Sequence, residues 1–323
     1  MARMPTRGVR TRGVTATAAL AVTTTTALLS CDAPRPAEHR SAAPIDGPGR
    51  VGSEPTSEST AFVGATLVRA ELHEPGGAPA RAGRPIVTFL HGLGDRGANF
   101  ERALAVPTIA RSLDFAWLAP DGSPGPNGQR FWNAGRACCD FAGTGIDHAR
   151  AVAERPATIE REGHLPFGPR VLVGFSNGAF LAHRIACDAG SIDAVVALAG
   201  APPGGDDPPC EPKRAVATIV IHGDADRVVP YAGGPLLRRA DRVVPGAAAT
   251  ASYWATRNGC AGGLGPATAR DLVPELPGEE TVIGAYAGCR APVELWTVRG
   301  ADHVGVLSPP LVEAALARTL APR

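Results

Sequence analysis

Residues 170–186 read RVLVGFSNGAFLAHRIA, and this stretch decides the fold. The apolar run Arg170–Gly174 predicts a β-strand, and Ala179–Ala186 predicts a helix. Between them lies Gly174-Phe175-Ser176-Asn177-Gly178, a G-x-S-x-G sequence whose small residues permit a tight, strained turn. Such a turn lifts the serine hydroxyl above the end of a sheet, so Ser176 is the predicted nucleophile. The alternative is a glycine-rich strand-to-helix turn that contains a serine by chance.

Short apolar, β-branched runs alternate with helical stretches along most of the chain. The predicted strands are Ala65–Leu72, Pro85–Leu90, Phe115–Pro120, Arg170–Gly174, Ala194–Ala199, Ala217–Ile221 and Val293–Val298. The predicted helices are Asn99–Ser112, Gly145–Arg155, which Pro156 is expected to end, Asn177–Asp188, Ala247–Arg257 and Pro309–Leu320. Several strands are apolar throughout, which is typical of strands covered on both faces. This order predicts an α/β fold with a mostly parallel central sheet and helices on both faces.

A serine hydroxyl is a weak nucleophile and needs an imidazole base that a carboxylate orients. In serine sites built on a strand–turn–helix, the acid and then the histidine follow the serine along the chain. Asp226 follows the predicted strand Ala217–Ile221 and is chosen over Asp224; His222 is interpreted as a structural histidine at the strand end. His303 is the predicted base, because it is the one histidine of eight that lies beyond Asp226.

The predicted site also needs donors for a developing oxyanion. We expect one backbone N–H from Asn177, at the start of a helix, and one from Leu93 in the loop His91-Gly92-Leu93-Gly94. His91 is interpreted as a residue that shapes this loop. Trp132 is a candidate substrate-binding wall, with a core position as the equal alternative.

Several motifs in fixed order resemble one family. They are His91-Gly92-Leu93-Gly94, Phe131-Trp132-Asn133-Ala134-Gly135 with Cys138-Cys139, Gly174-Phe175-Ser176-Asn177-Gly178-Ala179, His222-Gly223 through Asp226 to Val229-Pro230-Tyr231, and Val293-Glu294-Leu295-Trp296 before His303. Over about Phe62 to His303 the chain resembles the secreted polyhydroxybutyrate depolymerase and feruloyl esterase group of α/β-hydrolases. The resemblance implies an α/β-hydrolase fold and a serine carboxylic-ester hydrolase without metal or organic cofactor, with Ser176, Asp226 and His303 as the catalytic triad. The segment Gly300-Ala301-Asp302-His303-Val304-Gly305 and the Arg/Glu-rich stretch from Arg155 to Glu162 depart from the family pattern, which leaves the acyl specificity open.

The N-terminal segment is predicted to be an export signal. Arg3, Arg7, Arg10 and Arg12 precede an apolar run of about 16 residues, too short to span a membrane. The run ends at Leu28-Leu29-Ser30-Cys31, which resembles a bacterial lipobox and predicts a signal peptide over 1–31 with lipidation of Cys31; the alternative is an ordinary secretory signal cut nearby. Loss of the four arginines would lower the formal net charge from +1 to −3.

Domain organisation and location follow from this signal. Residues 32–60 are mostly Pro, Ser, Ala, Gly and Glu and predict a flexible linker. Residues 61–323 are predicted to be the catalytic domain. We expect an exported protein, either anchored to a membrane through a lipid on Cys31, in the periplasm or at the cell surface, or secreted.

Six cysteines remain after Cys31 is set aside, and an oxidising compartment favours disulfides. None has the C-x-x-C spacing of a zinc site, so no metal is expected. We expect Cys138 and Cys139 to pair separately with Cys187 and Cys210, and Cys260 to pair with Cys289.

The sequence gives less support to other functional classes. A net charge of +1 argues against nucleic-acid binding. Gly92-Leu93-Gly94-Asp95-Arg96-Gly97 matches the dinucleotide fingerprint G-x-G-x-x-G, with Asp121 at the end of the next predicted strand, so a nicotinamide-dependent oxidoreductase is one alternative. A non-catalytic binding lipoprotein on a hydrolase scaffold is another. The partners expected are an ester substrate, small or polymeric, and a membrane.

Overall fold

The computed structural model describes residues 70–76, 81–136, 138–163, 166–204, 207–208 and 210–321. The predicted signal peptide over 1–31, the lipidation of Cys31, the linker over 32–60 and the domain start at Ala61 lie outside the described residues and stay predictions. Within the described ranges, no helix is long and apolar enough to cross a membrane.

The secondary structure alternates between strands and helices, as the sequence predicts. The strands are β1 (Ile86–Leu90), β2 (Ala116–Leu118), β3 (Ser123–Pro124), β4 (Arg130–Phe131), β5 (Arg170–Phe175), β6 (Ala194–Leu198), β7 (Ala217–Gly223), β8 (Gly233–Pro235), β9 (Val243–Pro245), β10 (Thr268–Arg270), β11 (Thr281–Ala285) and β12 (Val293–Val298). The helices are α1 (Gly97–Ala103), α2 (Val106–Leu113), α3 (His148–Arg161), α4 (Asn177–Asp188), α5 (Ala247–Arg257) and α6 (Pro309–Leu320), and Leu236–Arg238 forms a 3-10 turn.

A sheet of eight strands, counted over the described ranges, lies at the centre in the order β10-β11-β12-β7-β6-β5-β1-β2. The six strands from β12 to β2 run parallel, and β11 and β10 add an antiparallel edge. The prediction of a mostly parallel sheet is therefore confirmed. Because neighbouring parallel strands end at the same edge, the loops after β1, β5, β7 and β12 meet there.

Helices cover both faces of this sheet, which confirms the predicted layers. Alternate strand residues such as Val87, Phe89 and Val173 pack with side chains of α1, α2 and α6 in one core. The residues between them, such as Leu90 and Leu172, pack with α3, α4 and α5 in the second. Fully apolar strands are therefore required, since each strand has no face toward water.

Two of the predicted helices have the wrong bounds, and a proline is involved in each case. The helix expected over Asn99–Ser112 is two helices, because Ala105 takes a left-handed conformation and Pro107 lies in the first turn of α2, where its missing N–H is not needed. The helix expected to stop at Pro156 continues to Arg161. Pro156 is buried on the same face as Val152 and Ile159, and α3 packs against α4; this burial offsets the lost hydrogen bond.

The first predicted strand is also wrong in its described part. Residues 70–72, the described end of the strand predicted over Ala65–Leu72, form no strand, and His73 makes one antiparallel bridge to Trp117.

The disulfide prediction is right for one bridge and wrong for the other two. Cys260–Cys289 is present as predicted. Cys138 bonds to Cys139, and Cys187 bonds to Cys210, so the expected cross-pairing of these four is wrong. The peptide bond between Cys138 and Cys139 is cis, and their Cα atoms lie 3.0 Å apart.

Candidate active site

Ser176 lies at the sharp turn between β5 and α4. Its φ of 50° and ψ of −121° are unusual for a residue with a side chain, and such strain is typical of functional turns. The flanking glycines are sterically required. A Cβ on Gly174 would lie 2.3 Å from the carbonyl oxygen of Gly178, and one on Gly178 would lie 2.0 Å from that of Leu90. The G-x-S-x-G pattern is therefore a packing requirement of the turn that exposes the serine.

Three side chains from separate strand ends form one hydrogen-bonded chain. Ser176 Oγ lies 3.0 Å from His303 Nε2, and His303 Nδ1 lies 2.7 Å from Asp226 Oδ2. A carboxylate can only accept, so Nδ1 carries the imidazole proton and Nε2 is left to accept from the serine hydroxyl. This is the arrangement that a general base needs to activate a serine.

Asp226 is held as a charged acceptor by four donors. Its Oδ1 accepts from the backbone N–H groups of Val228 and Val229 at 2.8 and 3.0 Å. Its Oδ2 lies 3.2 Å from His222 Nε2 in addition to His303. Burial alone would raise the pKa of Asp226, but hydrogen bonds from His222 and His303 outweigh it and hold the pKa well below its usual range.

The neighbouring acid and histidine have other tasks. Asp224 is exposed, and its Oδ1 accepts from Gly300 N at 2.7 Å, so it supports the turn before His303. His222 is almost fully buried, and its Nε2 donates to the carbonyl oxygen of Val229 at 2.8 Å. Its place beside Asp226 is a contact that the sequence did not predict, although the spacing from His222 to Asp226 along one strand end was a usable signal.

Leu93, one of the two expected oxyanion donors, lines the same cavity as Ser176, and Asn177, the other, directly follows Ser176 in the chain. This cavity of about 290 Å³ is lined by Gly92, Leu93, Ser176 and His303, together with Asp95, Cys138, Cys139, Phe175, Val228, Leu236, Leu237 and Val304. The N–H of Leu93 has no acceptor among the described residues. The N–H of Asn177 is the first of α4, a position that has no acceptor within a helix. Both donors are therefore free to bind a ligand oxygen.

His91 fixes the loop His91-Gly92-Leu93-Gly94, and its two ring nitrogens bond to backbone groups and not to Ser176. Its Nε2 accepts from Gly122 N at 2.9 Å, so the proton is on Nδ1, which donates to the carbonyl oxygen of Gly92 at 2.7 Å. That carbonyl belongs to the peptide whose N–H is Leu93 N, so the bond sets the direction of the donor. Burial lowers the pKa of His91 and favours this neutral form.

Trp132 is corrected from a candidate substrate wall to a core residue. Its side chain is fully buried, and its indole N–H donates to the carbonyl oxygen of His91 at 3.0 Å. Its backbone N–H and C=O pair with the side-chain amide of Asn177 at 2.7 and 2.8 Å. Trp132 thus ties the loop His91-Gly92-Leu93-Gly94 to the start of α4. Cys138 and Cys139 line the cavity instead, a position that the sequence did not predict.

Comparison with known proteins agrees with this architecture. No family model matches the chain. "Putative esterase NocK" of Nocardia uniformis subsp. tsuyamanensis is 31% identical over 171 residues, which are 50% of this chain and 46% of that protein, so the match spans about half of that relative. The acetyl xylan esterase from Aspergillus awamori superimposes with a TM-score of 0.56 at 14% identity, over 79% of this chain and 94% of that one. The chain has an α/β-hydrolase fold.

The same α/β-hydrolase architecture accounts for the G-x-G-x-x-G sequence without a dinucleotide. Asp121 Oδ1 accepts from Gly97 N at 2.9 Å, and Asp121 Oδ2 lies 3.1 Å from Arg130 Nε. A carboxylate therefore occupies the first turn of α1, where a pyrophosphate would have to bind, and would repel it. Over the described ranges, no group of three or more His, Cys, Asp and Glu side chains is arranged to hold a metal ion.

Proposed function

We propose that this α/β-hydrolase is a serine carboxylic-ester hydrolase that acts by two-step acyl transfer. The observation that carries the proposal is the hydrogen-bonded chain Ser176–His303–Asp226, with distances of 3.0 and 2.7 Å, at a cavity that Leu93, whose backbone N–H has no acceptor among the described residues, also lines. A non-catalytic binding protein has no need for an acceptor nitrogen aligned on a strained serine, so the geometry favours the enzyme over that alternative.

In the first step, Ser176 Oγ bonds to the ester carbonyl carbon while its proton passes to His303 Nε2. The carbonyl oxygen becomes an oxyanion and accepts from the N–H groups of Leu93 and Asn177. When the tetrahedral intermediate collapses, the bond to the alcohol oxygen breaks, and that oxygen takes the proton from His303. The acyl group stays on Ser176.

In the second step, His303 takes a proton from water as the water oxygen bonds to the acyl carbon. Collapse of the second intermediate releases the carboxylic acid and returns the proton to Ser176. Asp226 remains ionised throughout and stabilises the imidazolium that forms in each step, as its low pKa allows.

The substrates we propose are feruloyl or acetyl esters of polysaccharides, or hydroxyalkanoate esters. The resemblance of the ordered motifs to the polyhydroxybutyrate depolymerase and feruloyl esterase group supports this range, and the acetyl xylan esterase among the structural neighbours agrees with it. Export through the predicted signal over 1–31, with a lipid on Cys31, belongs to the same proposal. Three disulfides in the described part of the chain support an oxidising compartment.

Hydrolysis of p-nitrophenyl acetate by the wild type and by Ser176→Ala tests the reaction. We expect the variant to lose at least about 10³-fold in kcat, since the nucleophile is gone. Ser252→Ala is the matched control, because Ser252 is exposed on α5, and it should retain the wild-type rate. Equal rates for Ser176→Ala and wild type would remove the proposal. For the anchor, Cys31→Ser should move the protein from the membrane fraction to the soluble fraction of the expressing cells.

A further inference from the structure

A second cavity lies directly beside the catalytic one. It has a volume of about 300 Å³ and is lined by Leu93, Gly125, Pro126, Asn127, Gln129, Phe131, Cys139, Asp140, Phe141 and Ala142. Leu93 and Cys139 line both cavities. Leu93 and Cys139 therefore lie at the border between the two spaces.

The lining of the second cavity presents no unpaired carboxylate. Asp140 is the acid in it, and its oxygens accept from the backbone of Thr144 and Gly145 and from the Thr144 hydroxyl at 2.8 to 3.0 Å. Asn127 Nδ2 donates to Gln129 Oε1 at 2.9 Å, so these two amides bind each other. The remaining lining is mainly apolar.

Phe141 is the aromatic ring at the mouth of this second cavity. It is 41% exposed, and the guanidinium groups of Arg239 and Arg242 lie 5.5 and 4.9 Å from its ring centre. Both arginines are within ion-pair distance of Asp241, at 3.2 and 3.7 Å. Two cations therefore contact the ring, and the carboxylate of Asp241 neutralises one of their two charges.

Exposed apolar side chains are concentrated at the two cavities. Five large apolar residues are exposed in the described ranges: Phe141, Leu237, Val243, Leu264 and Val304. Phe141 lines the second cavity, and Leu237 and Val304 line the catalytic one. Single exposed apolar residues need no explanation, but three of the five at two adjoining cavities favour contact with an apolar ligand there.

We propose that the second cavity is a subsite for a bulky, uncharged and mainly apolar arm of the ester. The catalytic cavity alone lies at the lower end of the volumes that ligand sites have, whereas the two together lie well within that range. The ester would pass Leu93 and Cys139, so that its scissile carbonyl lies at Ser176 in the catalytic cavity and its bulky arm lies against Phe141 in the second cavity. This inference rests on the proposed ester hydrolysis.

The test compares three esters: ethyl acetate, ethyl 3-phenylpropanoate, which is bulky on the acyl side, and 3-phenylpropyl acetate, which is bulky on the alcohol side. Acid release is followed by titration at constant pH. For each bulky ester, the quantity measured is its kcat/KM divided by that of ethyl acetate. Two variants address the subsite: Phe141→Ala removes the ring, and Ala142→Trp fills the space. Leu264→Ala is the control, since Leu264 is 43% exposed and lines neither cavity.

We expect each subsite variant to lower the ratio about tenfold for one of the bulky esters, and the ester affected identifies the arm that binds there. Leu264→Ala should leave both ratios at the wild-type value. If both subsite variants keep both ratios within twofold of wild type, or if the wild type hydrolyses ethyl acetate and neither bulky ester, the subsite is overturned and ester hydrolysis stands. If the wild type hydrolyses none of the three esters, the proposed function fails and the subsite with it.

Discussion

Replacement of Asp226 by asparagine changes one atom at the centre of the proposed triad. Asp226 Oδ1 accepts two backbone N–H groups, from Val228 and Val229, while Oδ2 accepts from His303 Nδ1. The asparagine oxygen will still accept from the two backbone N–H groups, because the flipped amide would place its NH₂ donor against two other donors. The NH₂ group then faces His303 and donates to Nδ1.

This forces the imidazole proton onto Nε2, which then faces Ser176 as a donor and can no longer accept the hydroxyl proton. A base in the wrong tautomer typically costs about 10⁴ in kcat. That factor corresponds to about 5.5 kcal/mol of transition-state stabilisation. Asp226→Asn should therefore lose nearly all activity although its fold is retained.

The assay is kcat on p-nitrophenyl acetate for the wild type, Asp226→Asn and Asp224→Asn, with thermal unfolding of all three as the measure of folding. Asp224 is the matched control: it lies in the same loop but is exposed, and it accepts only from Gly300 N. We expect Asp224→Asn to stay within a few-fold of wild type. A folded Asp226→Asn with activity within tenfold of wild type would refute the tautomer argument, and equal losses in both variants would refute the choice of acid.

Three further outcomes are expected. His222→Leu should lower kcat about tenfold on p-nitrophenyl acetate, because Asp226 loses one donor, and it should also lower the melting temperature, because the carbonyl oxygen of Val229 loses the same buried donor; an unchanged kcat in the folded variant would show that this donor is dispensable. Gly178→Ala should cost about 2 kcal/mol or more in urea unfolding, since its Cβ would lie 2.0 Å from a carbonyl oxygen of β1, whereas Gly262→Ala, with open space around it, should cost less than about 1 kcal/mol. Burial lowers the pKa of His148 to about 4 in the folded protein, below the value of 6.5 expected in the unfolded chain. As the pH falls, the unfolded chain therefore binds a proton at His148 before the folded protein does. The stabilisation that is present above about pH 6.5 is lost as the pH falls toward 4. The loss should be about 3 kcal/mol in unfolding free energy at pH 4, and His148→Gln should make that dependence shallower.

Local pattern was sufficient for the central strands and the elbow. The strands β1, β5, β6, β7 and β12 are buried along nearly their whole length and consist mostly of apolar residues because both faces of the sheet are covered, and that is visible in the sequence. The antiparallel strands β10 and β11 were missed. β10, the edge strand, has only three residues, Thr268–Arg270, which are largely exposed and form no apolar run, and β11 pairs between β10 and β12 with a glycine in its sequence.

The positions of the three site residues also followed from order along the chain. Parallel strands end at a common edge, so a serine after β5, an acid after β7 and a histidine after β12 had to meet in one region. The choice of Asp226 over Asp224 was a hypothesis from the sequence. In the structure, Asp226 is the one of the two that lies 2.7 Å from His303.

Sequence by itself determined what depends on neighbours along the chain: which segments form strands, where the strained turn falls, and which strand ends carry polar groups. Tertiary structure alone decided what depends on contacts between distant segments. Trp132 is in the core because Asn177, 45 residues away, binds its backbone, and α3 passes through Pro156 because its buried face packs on α4. Tertiary structure also decided that the imidazole of His222 lies beside Asp226. It likewise placed Leu93 and Cys139 at the border between the two cavities. Hydrophobic period and turn chemistry are local properties, whereas burial and hydrogen-bond partners exist only once the chain has folded.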